Sequence, residues 1–126
     1  MPDYPKDKNA SIRTVAMPAD ANPSGDIFGG WIMSQMDIAG ASHAASIAKC
    51  RVVTVAIEAM TFLLPVYVGD VVSCYCETKR TGKTSISVHI ETWVLRNRVA
   101  DKPIKVTEGT YTFVALDENR KPVCIS

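Results

Sequence analysis

Gly25-Asp26-Ile27-Phe28-Gly29-Gly30-Trp31-Ile32-Met33-Ser34-Gln35-Met36-Asp37 is a turn-rich entry that runs without a break into an apolar helix. Everything from Pro18 to Gly30 is dense in Pro, Asn, Ser, Asp and Gly, the composition of a loop. From Trp31 to Ala48 the chain is rich in Ala, Met, Ser and Gln and poor in β-branched residues, which predicts a helix there. An apolar stripe runs through Met33, Met36, Gly40, Ala44 and Ile47 at close to i, i+3/i+4 spacing. Ala39, Gly40, Ala41, Ala44, Ala45 and Ala48 make one side very lean. A lean helix can approach a sheet closely, and that is a motive for Gly40, which costs about 1 kcal/mol of helix propensity relative to Ala.

After Arg51 the periodicity changes to two. Val52 to Val66 is a long β-rich run ended by Pro65 and Val68-Gly69-Asp70, and Val71 to Thr81 is the next. Gly82-Lys83 turns the chain into Ser85-Ile86-Ser87-Val88-His89-Ile90-Glu91, whose alternation predicts one buried face and one wet face. A polar stretch from Arg96 to Lys102 precedes a last strand from Lys105 to Leu116. On the N-terminal side, Ser11 to Ala16 makes a short first strand, and residues 1–10 make a polar, frayed arm. The expected fold is therefore α+β. One long helix packs on the concave face of an antiparallel sheet of about five strands, within a single domain over residues 11–126.

Composition excludes several classes of function. A hydrophobic fraction of 47%, a charged fraction of 21% and a net charge of +1 describe a globular chain with no footprint for nucleic acid or an acidic membrane. No apolar run reaches the roughly 20 residues of a membrane span. Cys50, Cys74, Cys76 and Cys124 form no CxxC pair and have only His43 and His89 as companions, so no structural zinc or other metal site is expected. Reduced, packed thiols fit a cytosolic setting.

Asp37 carries the strongest chemical signal, because it projects from the apolar stripe or its border. A buried carboxylate needs partners or a shifted pKa. It is either a flank residue satisfied by a neighbouring strand or a group kept for chemistry. Two turns upstream, Gly29-Gly30 sits at the helix N-terminus, where free N–H groups and the helix dipole favour a developing negative charge. The alternative is a tight turn needing positive φ. A carboxylate base near such donors is the pair that acyl transfer to water requires. Asp26, Asn22 and Ser24 are ordinary loop or capping residues on their own. Gly82-Lys83-Thr84-Ser85, with Arg80 nearby, is a hairpin turn that also offers a phosphate contact. His43 lies well around the helix from Asp37 and is assigned to packing or surface, and no triad assembles around His89.

Ala16-Met17-Pro18-Ala19-Asp20 and the run from Gly25 to Asp37 closely resemble the YciA-type acyl-CoA thioesterases of the hotdog-fold superfamily. The likeness continues through Arg51-Val52-Val53-Thr54-Val55, Glu58, Phe62, Pro65, Val68-Gly69-Asp70-Val71-Val72 and Tyr111-Thr112-Phe113-Val114-Ala115. Pro23-Ser24 and Ser42-His43-Ala44-Ala45 depart from the family pattern. The resemblance implies a long helix wrapped by the sheet, a homodimer with active sites at its interface, and a trimer of dimers. It implies that Asp37 is general base or nucleophile and that Asp26 faces the site from the partner protomer. Gly29 and Gly30 would polarise the thioester carbonyl, Thr54 and Glu58 would line the acyl channel, and Gly82, Lys83, Thr84 and Ser85 would lie near the CoA nucleotide. Thioester hydrolysis needs no metal or redox cofactor, and coenzyme A enters as part of the substrate. Two rival readings are another hotdog enzyme, an acyl-thioester dehydratase or hydratase, and a non-catalytic acyl-CoA sensor. The first usually pairs a catalytic His with an acidic residue, and the second has no need of Asp37.

Overall fold

The lean helix face sets the distance between the two layers. In the computed structural model, which describes residues 4–96 and 102–125, α1 spans Gly29–Ala48 and buries Ile32, Met36, Ala39, Gly40 and Ala44. The buried stripe is centred on Met36 and Gly40, so Met33 and Ile47 fall at its margins and are half-buried. A Cβ on Gly40 would stand 2.7 Å from Ile90 Cδ1 and 2.8 Å from Phe113 Cζ. Only a glycine permits this separation. The helix starts two residues earlier than its apolar pattern predicts, with Phe28 as N-cap, and closes at Lys49 in a left-handed conformation.

Five strands wrap this helix: β1 (Ile12–Val15), β2 (Arg51–Phe62), β3 (Val71–Thr81), β4 (Ser85–Leu95) and β5 (Ile104–Leu116). All neighbours are antiparallel, in the order β1-β3-β4-β5-β2. In β4, Ile86, Val88 and Ile90 point inward and are buried, as the alternation predicts. Trp93 continues the outer face, donating its indole N–H to Glu91 at 2.9 Å, yet it is buried because the Tyr4 ring packs against it. Of the polar stretch before β5, residues 97–101 lie outside the described residues.

β2 ends at Phe62, short of the expected Val66. There the N–H groups of Leu63 and Leu64 both turn to Val106 O, and Pro65 has no donor with which to continue the ladder. β2 is also an edge strand with unpaired backbone groups, and it exposes Val53, Val55 and Ile57. A long apolar edge of this kind is a template for pairing with another chain. The N-terminal arm, expected to fray, lies on the outer face of the sheet from Tyr4 onward. The Tyr4 ring meets Tyr75 and Trp93 edge-on at 5.8 and 5.1 Å, and its hydroxyl is 3.0 Å from Tyr75 Oη. Those aromatic contacts supply apolar burial that a count of polar residues and prolines does not reveal.

Candidate active site

The apolar helix carries Asp37 to the border between α1 and the open edge strand, where it is half-buried. Thr54 of β2 donates its hydroxyl to Asp37 Oδ1 at 2.5 Å. The partner on a neighbouring strand is therefore present, yet one hydroxyl leaves much of a carboxylate's accepting capacity free. No cation pairs with Asp37 among the described residues. Close by, Tyr111 donates its hydroxyl to Met33 O at 3.0 Å. Burial, then the charge of Asp37 and the neighbouring Cys74, pushes the Tyr111 pKa upward, so its hydroxyl stays protonated. Its place in the last strand was legible, but its bond to the helix backbone had no sequence signal.

Gly29 and Gly30 are the first two residues of α1, and both are exposed. The glycines with positive φ are Gly25 and Gly69, so the tight-turn reading does not account for the pair. First-turn N–H groups have no intrahelical acceptor. Those of Trp31 and Ile32 bond to Phe28 O, whereas those of Gly29 and Gly30 have no backbone acceptor among the described residues. A Cβ on Gly30 would meet nothing within 4 Å, and one on Gly29 would only touch the Phe62 ring at 3.4 Å. Two accessible donors thus point out of a helix N-terminus.

Asn22 builds the loop that leads there. Its side-chain oxygen accepts the N–H groups of Ser24 and Asp26 at 2.9 and 3.1 Å, an Asx turn. Asp26 pairs through its backbone with Tyr67, and Ile27 N–H bonds to Val66 O at 2.9 Å. The result is an open hollow of about 320 Å³ walled by Asn22, Asp26, Gly29, Phe62, Pro65 and Val66. The apolar wall formed by Phe62 and its successors was not assigned a role from sequence, because their run looked like continuing strand.

Within one chain these residues form separate groups. Asn22, Asp26, Gly29 and Gly30 gather at the helix start. Asp37 and Thr54 lie two turns further on, about 10 Å along the axis at 1.5 Å per residue. Glu58 is exposed on β2. The Gly82–Ser85 turn is held by bonds from Gly82 N–H to Ser85 O, Ala115 N–H to Thr84 O and Ile125 N–H to Lys83 O. Ser85 pairs with Val114 while Arg51 pairs with Leu116, so the turn shares the end of the sheet where β2 begins. The helix start is at the other end, beside Phe62.

The histidines stand apart from both groups. His43 Nε2 is 2.8 Å from Thr78 Oγ1, and burial, reinforced by the charge of Lys8, lowers its pKa. On the outer face His89 Nε2 lies 3.2 Å from Glu108 and 3.8 Å from Glu91, with Lys105 3.1 and 3.6 Å from the same carboxylates. These three acceptors could converge on a cation, and Lys105 already supplies one. This network escaped the sequence reading because Glu108 and Lys105 come from the adjacent strand. Burial pushes the Cys74 thiol up to about 11, the value of a packed and unreactive sulfur.

A family model of the thioesterase superfamily matches residues 24–100. The acyl-CoA thioester hydrolase YciA of Salmonella typhimurium is 57% identical over 115 residues, 88% of this chain and 85% of that protein. A hexameric thioesterase from Yersinia pestis superposes with a TM-score of 0.87 at 52% identity, over 94% of this chain and 95% of that one. A hexameric hotdog fold thioesterase of Campylobacter jejuni gives 0.89 at 40% identity, over 94% and 91%.

Proposed function

The chain belongs to the thioesterase superfamily, and from that premise we propose that it hydrolyses acyl-CoA to free acid and coenzyme A. The observation that carries the reading is Asp37, a half-buried carboxylate on an apolar helix, held by the Thr54 hydroxyl beneath an unpaired strand edge. Gly29 and Gly30 N–H groups receive the thioester carbonyl oxygen and stabilise it as negative charge develops. Asp37 either takes a proton from the attacking water or attacks the carbonyl carbon itself. In the first route water adds and the thiolate leaves. In the second an anhydride forms as the thiolate leaves, and water then cleaves it. Asp26 orients water or substrate. Neither route calls for a metal or redox cofactor, because a base and two donors suffice.

The two groups of residues act together across a homodimer. Antiparallel pairing of two β2 edges brings the Phe62 end of one strand towards the Arg51 end of the other. The partner's helix start, with its Asp26 and glycines, then approaches Asp37. Thr54 and Glu58 line the acyl channel, and the hairpin turn with Gly82, Lys83, Thr84 and Ser85 lies near the CoA nucleotide. The hexameric relatives support a trimer of dimers, and four free cysteines support a reducing, cytosolic setting.

A thiol-release assay over a chain-length series of acyl-CoAs, with Asp37→Ala beside the wild type, tests the reading. The variant keeps its fold and loses about 10²–10⁴ in kcat, the usual contribution of a positioned base. Wild-type turnover by Asp37→Ala would refute the mechanism. Hydration of enoyl-CoA without thiol release would replace it by the hydratase reading, and tight binding without turnover by the sensor reading.

A further inference from the structure

Arg96, at the end of β4, gathers more polar bonds than a surface cation needs. Its Nε donates to Asp70 Oδ1 at 3.1 Å, and its Nη2 donates to Asp70 Oδ2 at 2.9 Å and to Pro65 O at 3.0 Å. Its guanidinium also lies over the Tyr67 ring, 4.4 Å from the centroid. Asp70 is 2% exposed and also accepts Tyr67 N–H at 2.9 Å. One planar fork therefore grips residues 65–70 at the first residue, at the aromatic ring and at the last. A buried carboxylate left without that cation would carry an uncompensated charge.

The other side of the same turn faces the hollow. Val66 O accepts Ile27 N–H, Tyr67 pairs with Asp26, and Pro65 and Val66 form part of the wall. Gly69 N–H and Ala16 O, and Ala16 N–H and Asp70 O, tie the turn to β1 as well. We propose that Arg96 is a positioning residue for the acyl-CoA site. Through Asp70 and the 65–70 turn, it fixes the Asp26 loop and the angle at which the chain enters α1. The guanidinium touches neither Asp26 nor the glycines; its effect passes through the backbone bonds at Val66 and Tyr67. This inference rests on the hydrolase reading given above, and it adds a residue that sequence spacing could not connect to the site.

Arg96→Lys is the informative variant, since it keeps a cation beside Asp70 and gives up the fork. It is measured with Asp26→Asn, the double variant and the wild type, by kcat and KM for thiol release and by amide hydrogen exchange. Arg96→Lys lowers kcat roughly 10- to 100-fold, as a small displacement of reacting groups does, with little change in KM. The double variant is no slower than the slower of the two singles, because both changes act on Asp26. Ile27 and Tyr67 amides exchange faster, whereas Met36 in the middle of α1 does not. A purely structural role gives multiplicative losses in the double variant, and that result overturns the proposal. So does unchanged exchange at Ile27 and Tyr67 in Arg96→Lys, whatever the activity. Absence of thiol release from the wild type would instead defeat the hydrolase reading, and the exchange data would still decide the clamp.

Discussion

Gly30→Ala moves stability and activity in opposite directions, which makes it a sharp probe of the helix start. Gly30 is the second residue of α1, its φ is not positive, and a Cβ there meets nothing within 4 Å. Alanine therefore fits the backbone without strain. Replacing a glycine in such a position restricts the unfolded chain and stabilises by about 0.4–1 kcal/mol. At the frayed end of a helix the lower half of that range applies, so the melting midpoint rises by roughly 2 °C for a domain of this size. The same methyl group stands where a thioester oxygen must come to reach the two free N–H groups. Loss of one such donor costs about 10²–10³ in kcat. Differential scanning calorimetry gives the first number and thiol release at saturating acyl-CoA gives the second. A folded Gly30→Ala protein with wild-type kcat would refute the assignment of these donors to the oxyanion.

Gly40→Ala goes the other way: its Cβ would lie 2.7 Å from Ile90 Cδ1 and 2.8 Å from Phe113 Cζ. Overpacking of about 1–3 kcal/mol outweighs about 1 kcal/mol of helix propensity, so chemical denaturation shows a net loss of up to about 2 kcal/mol. The lowered pKa of His43, caused first by its burial, means that the unfolded chain binds this proton more readily. Its contribution is present above pH 6.5 and is lost as pH falls towards the depressed folded value; His43→Gln flattens that part of a stability-versus-pH curve. Val55 is 56% exposed on the unpaired edge, and Val55→Lys blocks pairing there. Sedimentation of Val55→Lys shows a smaller species that has lost activity, and an active monomer would contradict a site shared between protomers.

Features written in local spacing survived the passage to three dimensions, and those written in register did not. The run of Ala and Gly between Ala39 and Ala48 has no propensity reason to contain Gly40, so the close layer contact behind it could be inferred from the helix alone. The alternation of Ser85 to Glu91 likewise assigned inner and outer faces correctly, though the burial of Trp93 on the outer face under Tyr4 is a contact it does not encode. By contrast, Thr54 reaches Asp37 across 17 positions, from β2 to α1, a contact that neither element's spacing encodes. Arg96 reaches Asp70 across 26 positions, from the end of β4 to the start of β3. His89 finds Glu108 for the same reason, through a strand pairing that no period encodes. The helix start was placed late because glycine is a poor helix former, whereas the bonds from Trp31 and Ile32 to Phe28 hold the pair helical. Glycines tolerated inside a helix, without positive φ and without a close neighbour at Gly30, are there for what approaches them from outside. In one chain the nearest carboxylate on that helix is Asp37, about 10 Å along the axis. A thioester carbon cannot be 3 Å from both groups of the same protomer, so under the hydrolase reading each chain carries the base of one site and the oxyanion donors of another.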